Sequence, residues 1–341
     1  MSWFPEEERR TTNWFTKFCS NVLKCGPVPK HVAFIMDGNR RFARKSHIQR
    51  HEGHVKGFDK LADTLEWCLD LGITEVSVYA FSIENFKRSK DEVDGLMELA
   101  RQKFARLMEE KDSIQKYGVC VRVLGDISML PKDVQELISE AVEFSKNNDR
   151  AILNVCFAYT SRHEMTTAVK ELATGVEEGL LRPSDVSEHL LEKCLYTSHS
   201  ADPDLLVRTS GEVRLSDFLL WQSSYSVLSF VKVLWPEFSI WHLFAAVLHY
   251  QRNYQAIQKG KEANLKDREA AVHQSDHQCV LEEIEKEQVG SKDCKNTDIQ
   301  SRIRKYRLER EERERRFLDR VYERRRKSLE SMLPVKISIS Y

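Results

Sequence analysis

Val32-Ala33-Phe34-Ile35-Met36-Asp37-Gly38-Asn39-Arg40-Arg41 is the stretch on which the fold of this 341-residue chain turns. An apolar run of this length predicts a strand buried inside a sheet. It passes without a spacer into an acid, a glycine and two adjacent arginines. Glycine lets a backbone approach a ligand closely. A helix starting here aims free N–H groups and its positive dipole end at an anion. Two arginines add fixed charge and bidentate donors for phosphate oxygens. The lone acid among these donors is explained by Mg²⁺, a hard cation that takes one or two carboxylates together with phosphate oxygens. An ordinary strand–turn–helix with a solvated basic face is the alternative that the stretch alone leaves open.

Five further apolar, β-branched or aromatic runs follow, at Val76–Phe81, Val119–Leu124, Ala151–Phe157, Leu205–Arg208 and Val227–Val231. Helical patterns lie between most of them. Phe58, Leu61, Ala62, Leu65 and Leu69 form a stripe that Gly72 closes. Val93, Leu96, Met97, Ala100, Phe104, Leu107 and Met108 form a second stripe, and Val134, Leu137, Ile138 and Ala141 a third after Pro131. Thr160 or Ser161 with Glu164 fits a capping box for a fourth helix. Strands alternating with helices predict an α/β fold in one domain: a six-stranded, mostly parallel sheet flanked by helices, over residues 27–250. Residues 1–26 are expected to be an N-terminal amphipathic helix, and 251–341 a charged helical extension, in long solvated helices or a hairpin broken near Gly290-Ser291. In such a sheet, ligands bind at the carboxyl ends of the strands.

Two more clusters fall on that edge. Tyr79–Arg88 follows the second strand and offers Ser82, Asn85 and Arg88; a capped helix start accounts for the two small residues equally well. Asp204–Ser216 ends the fifth strand in Arg208, then a Ser-Gly turn, Arg214 and Ser216, so that a guanidinium and a hydroxyl can meet one anion. Arg50 and His54 open the first long helix, near the first loop. Two diphosphates need about this many donors.

Composition narrows the class. Lys+Arg and Asp+Glu both number 53, a neutral balance that argues against a nucleic-acid binder. The eight cysteines form no C-x-x-C pair, so a zinc site is not expected and a reducing, cytosol-facing compartment is. No run approaches the roughly 20 apolar residues of a membrane span, and no secretory signal opens the chain. Trp3, Phe4, Trp14, Phe15, Phe18, Val22 and Leu23 give the N-terminus an aromatic face. Such a face suits a membrane interface, the protein's own core or a partner.

The clusters resemble the signatures of a known family. His31–Ala43 is similar to the first, Tyr79–Arg88 to the middle and Arg208–Gln222 to the last signature of the cis-prenyltransferases, and in particular of their eukaryotic branch, the catalytic subunits of dehydrodolichyl diphosphate synthase. The likeness spans roughly Lys30 to Tyr250. It implies sequential condensation of isopentenyl diphosphate onto farnesyl diphosphate, giving a cis-polyprenyl diphosphate for dolichol synthesis and protein glycosylation. Asp37 would bind Mg²⁺. Gly38, Asn39, Arg40, Arg41, Arg50 and Arg88 would hold the allylic diphosphate with Asp37, and His54 would serve as a proton or hydrogen-bond partner. Ser82 and Asn85 would assist at the reacting centre. Arg208, Arg214 and Ser216 would hold isopentenyl diphosphate. The growing hydrocarbon requires an apolar tunnel, for which the helix Val93–Met108, with Leu96, Met97, Phe104 and Leu107, is the candidate wall.

Two departures from the bacterial, homodimeric members matter. The glutamate they use for metal is replaced by Val227, and their terminal Arg-x-Gly has no counterpart after Tyr250. Both losses resemble the eukaryotic subunit, which implies a heteromer with a non-catalytic subunit of the Nogo-B receptor type, attached peripherally to the cytosolic face of the endoplasmic reticulum membrane. An inactive scaffold subunit of the same fold is the rival reading; such subunits lack the Asp-Gly-Asn-Arg-Arg loop that this chain keeps.

Overall fold

The computed structural model describes residues 14–288 and 299–334. Trp3, Phe4 and the expected break at Gly290-Ser291 lie outside them. The described chain forms β1 (His31–Ile35), β2 (Glu75–Ser82), β3 (Val119–Leu124), β4 (Ala151–Tyr159), β5 (Leu205–Arg208) and β6 (Val227–Phe230). The helices are α1 (Trp14–Lys24), α2 (Asn39–Lys45), α3 (Arg50–Leu71), α4 (Lys90–Glu109), α5 (Lys111–Tyr117), α6 (Lys132–Ser145), α7 (Ser161–Glu177), α8 (Glu188–Cys194), α9 (Ile240–Gln288) and α10 (Ile299–Ser331). Contacts divide the chain into two compact units, one of residues up to Arg162, Ala201–Ile257 and the stretch from Leu329, the other of His163–Ser200 and Gln258–Ser328.

The first unit holds the sheet, in the order β3-β4-β2-β1-β5-β6. All five strand pairs are parallel, so the expected α/β fold is present and the sheet is more uniformly parallel than anticipated. All five residues of β1 are buried, as a strand covered on both faces requires. Phe34 packs on Trp235 and Phe238, with ring centroids 5.9 and 6.2 Å away. The buried Trp235 donates its indole N–H to the Gly57 carbonyl at 2.7 Å. Helix α3 ends where Gly72 takes a left-handed φ of 86°, as the stripe predicts. Gly57 has a packing role: a Cβ there would lie 2.4 Å from Asn39 Oδ1, so α2 and α3 approach through it. Helix α1 buries only Leu23 and leaves Trp14, Phe15, Phe18 and Val22 exposed, with Phe15 against Trp241. Among the described residues, no helix is long and apolar enough to cross a membrane.

The second unit corrects the picture of a purely solvated charged tail. Its stretch of α10 buries Ile303, Tyr306, Arg310, Phe317 and Val321. Their spacing is close to helical, but basic residues crowd the stripe and hide it from a reading by composition. Ile303 and Tyr306 pack with Val280 of α9. Arg310 bonds Asp276 through Nε and Nη2 at 2.8 and 3.3 Å. Arg313 grips the fully buried Asp185 carboxylate at 2.8 and 2.7 Å. Such pairs stabilise little relative to an apolar replacement, but removing one member strands a buried charge. Arg313→Met is therefore expected to lower stability by about 3–5 kcal/mol. Urea unfolding checks this, and an unchanged midpoint would show the pair to be dispensable.

Candidate active site

Asp37 stands one residue beyond β1, and its backbone is fixed from two directions. Its N–H donates to Thr209 Oγ1 at 3.1 Å, its carbonyl accepts from the same hydroxyl at 2.8 Å, and the Trp235 N–H reaches that carbonyl at 3.0 Å. The carboxylate accepts from Gly38 N–H at 2.6 Å and from Arg208 Nη2 at 3.1 Å, with Arg41 3.7 Å away. Gly38 has φ 108° and lies against Leu234, so both its backbone and its surroundings favour the absence of a side chain. Helix α2 starts immediately after it, at Asn39, as the loop predicts. Its orphan N–H groups therefore face the strand end.

Three of the four arginines expected to hold the allylic diphosphate converge on a residue that the sequence reading passed over. Glu92, in the first turn of α4, lies 2.8 Å from Arg88, 3.6 Å from Arg40 and 3.9 Å from Arg50, with its side chain 11% exposed. Three positive charges against one negative leave a net +2 in this cluster. Only its place four residues after Arg88 pointed to it, through the i,i+4 pairing rule. His54 stands among these groups. Burial, and then the nearby Arg88, push its imidazole down to about 4, against a smaller upward pull from Glu92. Burial and Arg40 likewise depress Arg88, with Glu92 opposing them. Three buried polar atoms in the site have no protein partner: Asn39 Oδ1, His54 Nε2 and Arg208 Nε. Unpaired buried polar groups are costly, so these three atoms call for a water, an ion or a ligand as partner.

The third cluster is assembled by Arg208, whose side chain is 3% exposed. Its Nη1 donates to Ser216 Oγ at 2.7 Å and to the Arg214 carbonyl, while Nη2 bonds Asp37. Arg41 donates to the Ser210 carbonyl at 3.1 Å and to its hydroxyl, and lies 3.6 Å from Glu212, which also pairs with Arg214. Arg41 and Arg208 therefore join the first and last signatures through Asp37. Arg208, expected to hold isopentenyl diphosphate, thus shares its guanidinium between Ser216 and Asp37.

Ser82 and Asn85 form a capping box at the end of β2: Ser82 Oγ accepts from Glu84 N–H, and Asn85 Oδ1 accepts from Ser82 N–H, both at 3.1 Å. The local capping role is thus real, and it also fixes both side chains at the sheet edge. A register shift between Tyr79 and Phe81 turns the strand just before it. Beside this edge lies a cavity of about 130 Å³ with Asn39 and His54 on its wall and an otherwise mostly apolar lining that includes Phe58, Leu61, Phe81, Leu96, Ala100 and Phe104. Of the expected wall residues, Leu96 and Phe104 face it. Met97 is packed in the core instead, and Leu107 lines a second cavity of about 50 Å³. Lys103, unforeseen, also borders the larger cavity, with its ammonium 4.0 Å from the Phe58 ring centroid.

The family model described as putative undecaprenyl diphosphate synthase matches residues 35–258. The human dehydrodolichyl diphosphate synthase complex subunit DHDDS is 60% identical over 287 residues, covering 84% of this chain and 85% of its own. A tritrans,polycis-undecaprenyl-diphosphate synthase (geranylgeranyl-diphosphate specific) of Pyrococcus abyssi is 47% identical over 224 residues, 66% of this chain and 84% of that one. Among solved structures, lavandulyl diphosphate synthase from Lavandula x intermedia, in complex with dimethylallyl diphosphate, superposes with a TM-score of 0.62 at 34% identity, covering 66% of this chain and 95% of its own. With its strand-end arginines, its six parallel strands and these relatives, the chain belongs to the cis-prenyltransferase family, enzymes that transfer prenyl groups.

Proposed function

We propose that the chain is the catalytic subunit of a dehydrodolichyl diphosphate synthase, which adds isopentenyl diphosphate in cis to farnesyl diphosphate and makes a long polyprenyl diphosphate for dolichol synthesis and protein glycosylation. The observation that carries this is the position of Asp37 against Arg208 and Arg41, in the stretch whose Met36 and Asn39 line an apolar cavity. An inactive scaffold subunit has no need of unpaired polar atoms buried at such a place.

Arg40, Arg41, Arg50 and Arg88 would bind the allylic diphosphate with the N–H groups of α2, and the cavity would take its hydrocarbon tail. Arg208, Arg214 and Ser216 would bind isopentenyl diphosphate. The allylic C1–O bond breaks and diphosphate departs with the bonding pair. The double bond of isopentenyl diphosphate attacks that C1 through C4, and a proton leaves C2. Preorganised guanidinium groups favour this step because negative charge grows on the departing oxygens where donors already stand. His54 Nε2 faces the allylic side without a partner and, as the N–H of a neutral ring, would donate to its diphosphate, while Asn39 would donate through its amide nitrogen. Ser82 and Asn85 would steady the reacting ends.

Mg²⁺ fits the donor set. Among the described residues, no three His, Cys, Asp or Glu side chains gather as a metal site, so a cation would be held by the partly exposed Asp37 and by oxygens that the substrate brings. When bound, it would supply charge neutralisation to the leaving diphosphate. The exposed aromatic face of α1, with Lys17 and Lys24, supports peripheral attachment to the endoplasmic reticulum membrane on its cytosolic face. Val227, buried at the start of β6, stands where the homodimeric members carry a metal-binding glutamate, and a Nogo-B receptor-type partner would make up for that loss.

Radiolabelled isopentenyl diphosphate incorporation by the chain with that partner tests the function. Asp37→Ala is expected to lower turnover by roughly 10²–10³-fold or more while the far-UV spectrum is unchanged. A near-normal rate in that variant removes the metal assignment, and full activity of the chain alone removes the heteromer. Arg214→Ala is expected to raise KM for isopentenyl diphosphate about tenfold and leave the allylic KM nearly unchanged, on the scale of one charge-assisted hydrogen bond; equal rises reject the division of the site. Arg208→Ala should affect both substrates, because Arg208 also holds Asp37.

The free protein should also show His54 in its acid response. The imidazole titrates near 4 when folded and near 6.5 when unfolded, so below 6.5 the unfolded chain takes up the proton first. The stability that comes from keeping this ring neutral is complete above 6.5 and declines as the pH falls from there towards 4. His54→Gln should flatten this decline in urea midpoints measured across the window. Identical slopes for the two proteins would contradict a neutral His54.

A further inference from the structure

Residues 210–219 contain five left-handed residues, Ser210, Gly211, Ser216, Asp217 and Leu219, and only one of them is glycine. Other side chains hold that conformation only where surrounding contacts over-determine it. Those contacts converge on Asp217. Its Oδ1 accepts the Arg162 backbone N–H at 3.1 Å and its Oδ2 accepts Arg162 Nε at 2.9 Å. Its carbonyl accepts Ser161 N–H at 2.8 Å, and Ser161 Oγ in turn accepts Leu220 N–H at 2.8 Å. A carboxylate 12% exposed thus ties the loop to the first turn of α7, where helix N–H groups favour negative charge. On the opposite side, the Tyr79 ring stacks on the buried Phe218 at 4.5 Å, and its hydroxyl lies 3.4 Å from the Ser216 carbonyl.

We propose that Asp217 is a positioning residue for the isopentenyl diphosphate half of the site: by clamping the loop to α7 it holds Ser216 in its strained backbone, with its hydroxyl on Arg208, before any substrate arrives. This rests on the assignment of Arg208, Arg214 and Ser216 to that substrate. Ser216 immediately precedes the clamp, and its φ of 50° has no glycine to excuse it. Once Asp217 is released, residues 216 and 217 relax toward ordinary backbone, and the hydroxyl leaves Arg208 Nη1. Substrate binding must then reorder the loop, and the apparent affinity falls by the fraction of molecules still ordered. The allylic half is held by Glu92 and the start of α2, which the clamp does not touch, and Arg208 keeps its Nη2 on Asp37 when Ser216 leaves Nη1, so the effect falls on one substrate.

Steady-state kinetics of the reconstituted enzyme tests this, with KM measured for each substrate. Asp217→Ala is expected to raise KM for isopentenyl diphosphate about tenfold, with the allylic KM within about twofold of the parent. Asp217→Asn keeps an oxygen acceptor for the Arg162 N–H and should recover most of the loss. Arg162→Ala removes only the outer ion pair of a side chain that is 74% exposed, so it folds whatever becomes of the other variant, and should raise the same KM about threefold. Parent-like values in Arg162→Ala and Asp217→Ala overturn the proposal, as does an equal rise in both KM values, which marks a purely structural residue. Arg214→Ala, run in parallel, separates the two failures. If it raises KM for isopentenyl diphosphate while the Asp217 variants do not, the site assignment stands and the clamp is wrong. If it too leaves that KM unchanged, the assignment itself fails.

Discussion

The parallel pairing of β1 with β2 on one side and β5 on the other is the constraint from which the site follows. Because every pair is parallel, each strand delivers its following loop to the same edge of the sheet. Because β2 and the strands beyond it lie on one side of β1 while β5 and β6 lie on the other, the connections reverse direction at β1 and its end is the place where a crevice opens. The residues that come after β1, β2 and β5 are 37–41, 83–88 and 209–216, which are the three clusters of charge and hydroxyl. Thr209 makes the junction rigid: one hydroxyl bonds both the N–H and the carbonyl of Asp37. A β5 out of register by one residue would aim Arg208 at the opposite face and leave Asp37 without it.

So much positive charge in one crevice repels itself, and the fold distributes acids to contain that repulsion without cancelling it. Glu92 serves three arginines, Glu212 serves Arg41 and Arg214, and Asp37 serves Arg208 and Arg41. Each acid faces more than one cation, so the site stays electropositive. The depressed imidazole of His54 belongs to the same arrangement, since burial and surrounding guanidinium groups both disfavour another proton. The second unit uses the same residue types to another end. There Arg313 and Asp185, or Arg310 and Asp276, meet nearly one to one and bury each other, which is structural pairing rather than a place for an anion.

The strands were legible almost to the residue because five of the six are short apolar runs bounded by turns, and burial on both faces makes such runs continuous. The site was legible where chemistry is local: Asp37, Gly38 and the arginines stand at strand ends, and their type alone speaks of phosphate. Glu92 was not, because an acid in the first turn of a helix is ordinary, and only the approach of α2 and α3 turns it into a hub. Arg208 was read as a ligand of one anion, since its bond to Asp37 spans 171 positions of sequence. Asp217 was quoted within the last signature without a role, for a similar reason: its partners sit 55 residues earlier, at the start of α7. The stripe in α10 was obscured because arginines whose stems and charges are buried count as polar in any reading by composition.

A prenyl diphosphate has a multiply charged anionic head and a hydrocarbon tail, and α3 and α4 are divided lengthwise to match. Helix α3 begins with Arg50 and His54 and continues as Gly57, Phe58 and Leu61 on the cavity side. Helix α4 begins with Glu92 and continues as Leu96, Ala100 and Phe104. The steps of four residues keep these side chains on one face, and from Glu92 to Phe104 that face runs about 18 Å at the rise of an α-helix. Usual amphipathic patterning separates polar from apolar around a helix. Here the separation runs along it, with the electropositive end at the sheet edge and the apolar end beneath the β2–β4 face. The one intrusion, Lys103, lays its ammonium against the Phe58 ring, and burial pulls its titration downward. Even there the wall opposes charge, so under the proposed function the strand ends would keep the head group and the apolar end would take the tail.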